Sequence, residues 1–358
     1  MTAWGADWRV VGGVATAWFD APSLSAGAAL ARGNPLVAVD LRADGVRVRA
    51  GEPQHAAEVS VAAREGGLTA NPAVLQELSV VVESGDPSRV APFWRRVLDY
   101  APAVGEGLAD PLRRDPAMRF RQSDEVRPLR NRVHLDVVRP AAGVELADAG
   151  EASGPYGVCR SDPDGNEVDL VPGDALGEGS DWQTVFSAMV CYRTTRRQQL
   201  AAAVAELADD AGFPLLVDVR PELVIVGSSK DRWEDDAFAV LAGKVQAAAR
   251  ELGATADPAL PRFVQLFLDA ADVDAVREFW RTVLGYVPDW RAGVSDIHDP
   301  RRLNPVLVFQ QLGTADTERR KQRNRIRFEL AVPPELAEER LATALAAGGR
   351  QLGEWRLA

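Results

Sequence analysis

The stretch Arg64–Tyr100, REGGLTANPAVLQELSVVVESGDPSRVAPFWRRVLDY, decides how this chain is read, because it recurs without a gap at Arg250–Tyr286, RELGATADPALPRFVQLFLDAADVDAVREFWRTVLGY. Thr69 falls on Thr255, Pro72 on Pro258, Asp86 on Asp272 and Trp94 on Trp280, every pair 186 residues apart. A rare tryptophan falling on a tryptophan in an ungapped match marks an internal repeat, which takes precedence over any other assignment. The chain is therefore a duplication, and its function is expected to use two related halves.

Within each copy the pattern runs strand, turn, helix. In LSVVVESGDPSRVAPFWRRVLDY apolar residues alternate up to Glu83, Asp86 stands at an N-cap with Pro87 at the first helical position, and Val90, Phe93, Trp94 and Val97 share one helical face. AMRFRQ and NRVHLDVV read as further strands, and YGVCRSDPDGNEVDLVP as a hairpin turning at DPDGN, where Gly165 supplies positive φ. VQLFLDAADVDAVREFWRTVLGY, PVLVFQQ and NRIRFELAV repeat the series, with Phe309 on Phe120 and Arg325 on Arg132.

Composition narrows the class. With 358 residues, 46% of them hydrophobic and 26% charged, the chain is long and apolar enough for a sizeable core. A net charge of −11 disfavours nucleic acid as a partner. The basic run RRKQRNRIR, Arg319 to Arg327, is flanked by Glu318 and Glu329 and is expected to be a solvated hairpin. No apolar run approaches the roughly 18 residues of a membrane span, and none follows a basic start. Cys159 and Cys191 lie in different halves and unlike contexts, which argues against a disulfide framework and for the cytoplasm.

The segment 1–72 reads ββαββα. WRVVGGVATAWFD gives two strands, SLSAGAALARGN a Ser-capped helix, LVAVDLRADGVRVRAG two more strands, and HAAEVSVAARE a second helix opened by His55. The segment 174–258 repeats it after the Gly/Asp-rich linker GDALGEGSDW: Trp182 answers Trp8, Pro214 answers Pro35 and Asp218 answers Asp40. This order and the phrase GNPLVAVDLRADGVRVRAG resemble pterin-4a-carbinolamine dehydratases. That family places His-His before the proline and a further His on the next strand as acid and base. Here those places hold Gly33 and Asn34, a site near Gly51 and Glu52, and in the second copy Gly212 and Phe213. The resemblance implies the scaffold without the chemistry. Asp40 and Asp218 are expected to bond backbone or Arg42 and Arg220.

The segments 73–173 and 259–358 resemble the vicinal oxygen chelate superfamily of glyoxalase I, bleomycin-resistance proteins and extradiol dioxygenases, in particular an actinobacterial glyoxalase-like branch. The resemblance rests on Asp-Pro, Phe-Trp, Leu-x-Tyr, Asn-Arg-Val-His-Leu-Asp and Asp-Pro-Asp-Gly-Asn, in that order. It implies an α+β fold in which two paired βαβββ modules form cupped sheets, alternating along the chain with the two ββαββα segments. It also maps metal-ligand positions onto Ser79, Gln122, His134 and Asp169 in the first module and onto Gln265, Gln311 and Arg327 in the second. A guanidinium opposes a cation, so the second set is not a metal site. Gln122, His134 and Asp169 are a possible facial set for a divalent ion in the first. Trp94, Phe120, Trp280, Trp290 and Phe309 are placed as aromatic neighbours of the cups. The chain ends at GEWRLA where the first module continues into DPDGNEVDL, so the last strand of the second module is expected to be absent.

Three functions are compatible with these readings. The first is metal-free binding of a small molecule such as a drug or metabolite, with cups kept and metal ligands lost. The second is a lyase- or dioxygenase-type enzyme using His134 with Gln122 and Asp169, with or without a divalent metal, or His134 and Asp169 as acid and base. The third is an interaction protein, a possible homodimer formed through the dehydratase-like segments.

Overall fold

The structure is a computed structural model that describes residues 3–32, 38–103 and 105–352. Gly33, Asn34 and Pro35, together with the chain end 353–358 where a strand is expected to be absent, lie outside the described residues. The four segments read in series form two compact units. Residues 1–76 join 173–262, and residues 77–172 join 263–358.

In the second of these units the principal elements are numbered in chain order, the shorter ones being named by their residues. They are β1 (Glu77–Ser84), α1 (Pro87–Leu98), β2 (Met118–Gln122), β3 (Val133–Pro140), β4 (Cys159–Ser161), β5 (Glu167–Ala175), β6 (Phe263–Ala270), α2 (Val273–Leu284), β7 (Val306–Gln311) and β8 (Ile326–Ala331). Asp86 caps α1 by accepting from the Ser88 amide, and Asp272 caps α2 by accepting from the Ala275 amide. Both helices end on a left-handed residue, Asp99 at φ 52° and Gly285 at φ 65°, the shape that stops a helix and frees the chain for the next strand.

The modules exchange strands. β3 pairs antiparallel with β6, and β6 runs parallel to β7, while β4, β5 and β3 follow one another on the far side. The second sheet repeats the plan with β8 antiparallel to β1 and β1 parallel to β2. Each sheet thus joins the third strand of one module to the first two of the other. The two crossing points lock reciprocally: the Arg132 amide donates to Asn324 Oδ1 at 3.0 Å, and the Arg325 amide to Asn131 Oδ1 at 2.9 Å.

Strand alternation gives each sheet two unlike faces. Leu78, Val80 and Val82 of β1, Leu135 and Val137 of β3, Leu266 and Leu268 of β6, and Leu307 and Phe309 of β7 share one hydrophobic cluster with Trp94 and Val97 of α1 and Leu284 of α2. The intervening residues form the opposite, polar face of each sheet, where buried His134, Asp136 and Gln265 lie with half-buried Asp169 on one, and buried Ser79 and Glu83 lie with partly exposed Arg119 and Arg327 on the other; this polar side is called the open face, because the apolar core covers the other.

The basic run corrects one expectation. Thr317–Lys321 is a short helix rather than part of a hairpin, and two arginines of the run, Arg319 within it and Arg325 beyond it, fold inward. Arg319 Nη2 bonds Asp269 at 2.7 Å, and Arg325 is buried with its Nε on Asn166 Oδ1 at 2.9 Å.

The other unit packs the helices Leu24–Ala28, Pro53–Glu65, Arg197–Ala211 and Asp236–Glu251 with one sheet face around a single core. Its two halves meet where Ala38–Arg42 pairs antiparallel with Leu216–Arg220, with Asp40 directly opposite Asp218. Arg220 Nη2 reaches Asp40 at 2.6 Å and Arg42 Nη1 reaches Asp218 at 2.8 Å, so each aspartate is bonded by the arginine of the other copy. Burial would raise the Asp40 carboxyl, but Arg220, Arg47, Arg49 and Arg42 outweigh it and hold the group well below its usual range. Both aspartates are thereby committed to the seam.

Candidate functional site

On the open face of the first sheet, β3 presents His134 and Asp136, β5 presents Asp169 and β6 presents Gln265. One ligand atom from each of His134, Asp136 and Asp169 lies within 4.8 Å of the others. His134 Nε2 is 3.5 Å from Asp136 Oδ1, and Gln265 Nε2 donates to Asp136 Oδ2 at 2.9 Å. The register explains the meeting, since Asp136 stands directly across from Gln265 and His134 across from Phe267. Phe267 stacks on the imidazole with centroids 4.8 Å apart and planes 18° apart, which fixes the ring plane.

Burial is the largest influence on the His134 imidazole and lowers its proton affinity below the ordinary value, against the upward pull of Asp169 and Asp269. Burial thus favours the neutral imidazole, the form that offers a nitrogen lone pair. Gln265 is only 2% exposed, yet its carbonyl Oε1 has no partner among the described residues. At the rim the acids are matched: Arg130 holds Glu167 at 2.6 Å and Arg319 holds Asp269 at 2.7 Å. Neutral imidazole, two carboxylates and a buried amide oxygen are a donor set that fits a divalent cation favouring nitrogen and oxygen.

The corresponding positions of the second sheet carry opposite chemistry. Arg327 takes the place of His134, Glu329 that of Asp136 and Ser79 that of Gln265, with Glu329 directly across from Ser79. Arg119, Arg121 and Arg327 reach Glu329 at 3.1, 2.9 and 3.2 Å, and Arg127, Arg323 and Arg327 reach Glu83 at 2.7, 2.9 and 3.0 Å. Burial would raise the Glu83 carboxyl, but its bond to Arg127 and the charges of Arg323 and Arg127 outweigh that and lower it. These arginines exclude a cation from this face.

Several residues expected at one site are distributed otherwise. Ser79 and Gln122 belong to the second sheet, whereas His134 and Asp169 belong to the first, because the modules exchange strands. Gln122 is exposed and bonds the Gly85 carbonyl at 2.6 Å, and exposed Gln311 bonds the carbonyls of Ala271 and Leu312. Trp94 does not face a cup: it is fully buried and donates Nε1 to Asp162 at 2.9 Å. Phe309 alternates toward the core with Leu307. Trp280 packs against Phe328 with centroids 5.5 Å apart, and Trp290 is 58% exposed with the Arg291 guanidinium over its ring. Phe120 is half-buried and, with Gln122, lines a cleft of about 640 Å³ beside β2.

Asp136, Glu83, Arg119 and Arg121 were missed. Asp136 was detectable, since His-x-Asp on a strand puts both side chains on one face.

Two interlocked modules, β1–α1–β2–β3 with β4 and β5 in the first and β6–α2–β7–β8 in the second, define a duplicated α+β class of protein in which each sheet is backed by the apolar core and carries polar residues on its other face. The family model of the glyoxalase-like domain matches residues 79–171 and 265–358, more than half of the chain. The chain belongs to the glyoxalase-like domain family, within the vicinal oxygen chelate superfamily, and carries the domain unit twice. Comparison with curated proteins and with solved structures returned no significant match. No helix among the described residues is long and apolar enough to cross a membrane.

Proposed function

We propose that the open face of the first sheet binds a small molecule with the help of a divalent cation held by His134, Asp136 and Asp169. The observation that carries this reading is the convergence of those three donors within 4.8 Å beside the unpartnered, buried Gln265 Oε1. When bound, a cation there would supply positive charge that polarises an oxygen of the ligand. The residues around it have separate tasks. Phe267 holds the imidazole plane, the Gln265 amide orients the Asp136 carboxylate, and Asp169 balances charge next to a His134 kept neutral by burial.

This reading promotes the cation-assisted alternative over metal-free binding for the first face. Metal-free binding is retained for the second, where Arg327 replaces the histidine. The ββαββα unit is read as a dehydratase-like scaffold in which Asp40 and Asp218 are structural.

Equilibrium dialysis against Mn²⁺, Ni²⁺, Zn²⁺ and Fe²⁺, followed by metal analysis, tests the reading. One ion per chain is expected, lost in His134→Ala and in Asp169→Asn but kept in Arg327→Ala. No bound ion, or equal binding by His134→Ala, contradicts it.

A further inference from the structure

We infer that the open face of the second sheet is a separate binding site for a small anion, a molecule carrying a carboxylate or phosphate group, read by Arg119, Arg121 and Arg327. This goes beyond the cation site and does not depend on it, because no residue is shared.

Arg119, Arg121, Arg127, Arg323 and Arg327 surround Glu83, Glu125 and Glu329, five guanidiniums against three carboxylates. The surplus faces outward. Glu83 and Glu329 side chains are 10% and 24% exposed, whereas those of Arg119 and Arg121 are 42% and 49% exposed. Carboxylates thus lie beneath the arginines and hold them upright from below.

Donor capacity points the same way. A guanidinium donates from Nε and both Nη atoms in a planar fork that matches a carboxylate or phosphate edge. Arg119 spends Nη1 on Glu329 and Arg121 spends Nη2, which leaves the rest of each fork for a ligand. Arg119 and Arg121 also stand two residues apart on one strand, so they project side by side from one face.

There is room for the rest of a ligand. The outer edge of β2 pairs with the short strand Leu108–Ala109 at Met118, and beyond that point the 640 Å³ cleft runs along the strand edge past Arg119, Arg121 and Gln122 to Ser88 of α1, with the single carboxylate of Glu106 among its lining residues.

Thermal unfolding of the full chain in EDTA, titrated separately with inorganic phosphate and with succinate against NaCl of equal ionic strength, tests the inference. At least one anion is expected to raise Tm saturably above the salt control, and the arm that responds assigns phosphate or carboxylate. Arg119→Gln/Arg121→Gln, which alters half-exposed side chains and should fold, is expected to weaken that response at least tenfold. If neither anion exceeds the salt control, or the double variant responds as the wild type does, the site does not exist.

Discussion

The open faces of the two sheets descend from one repeat, and they have diverged into opposites. At equivalent strand positions one carries His134, Asp136 and Gln265, the other Arg327, Glu329 and Ser79. On the first face the central acids sit close to one another. On the second every buried carboxylate is enclosed by guanidiniums. The first face, with clustered like charges and an unpartnered amide oxygen, is suited to a cation, whereas the second, with its carboxylates already paired to guanidiniums, is suited to an anion. Beneath both faces the apolar layer is shared, so the divergence is confined to residues that do not build the fold.

Substitutions can break or sharpen that contrast. The largest effect is expected beneath the faces: Trp94→Ala removes a fully buried ring and its bond to Asp162 and should cost about 3–5 kcal/mol, whereas Trp280→Ala, at a half-buried position, should cost about 1–2 kcal/mol by urea denaturation. Next, Glu83→Gln should cost about 2 kcal/mol, because it removes the carboxylate shared by Arg127, Arg323 and Arg327 and leaves the Arg127 guanidinium, whose side chain is 2% exposed, with the Asn324 carbonyl and Ser123 Oγ as its close partners. A loss below about 0.5 kcal/mol would mean that the second face is not held by its ion pairs. On the first face Asp169→Asn should change stability by no more than about 0.5 kcal/mol, since it removes a carboxylate crowded against Asp136.

Acid should separate the faces too. Burial lowers the His134 value, so as pH falls below the ordinary 6.5 the unfolded chain takes up a proton that the folded chain refuses, and stability declines. Glu83 has its value depressed, so its contribution is present above the ordinary 4.5 and is lost as pH falls through the lower folded value. His134→Gln should therefore flatten the stability profile between pH 7 and 5 and leave the acid limb unchanged, with Glu83→Gln doing the reverse.

How far these features were legible in the sequence depends on whether they are local. The duplication, the caps at Asp86 and Asp272 and the hairpin turn at Asp162–Asn166 follow from neighbouring residues, and the structure contains them. The exchange of strands between modules is set by tertiary pairing, and no short-range pattern reports it. That is why Ser79 and Gln122 were grouped with His134. Arg319 and Arg325 read as solvated because the acids and carbonyls that receive them, such as Asp269 and Gly165, are far along the chain. Phe309 shows the converse: it was placed at a cup by family position alone, although a strand's two-residue period sets it on the same side as the core residue Leu307.

The contrast between the faces is tested most directly by anomalous scattering at the zinc edge from crystals of the full chain soaked in Zn²⁺. The account predicts one strong peak at about 2.0–2.2 Å from a His134 nitrogen and from oxygens of Asp136 and Asp169. A peak among Arg119, Arg327 and Glu329, or none at His134, would contradict it.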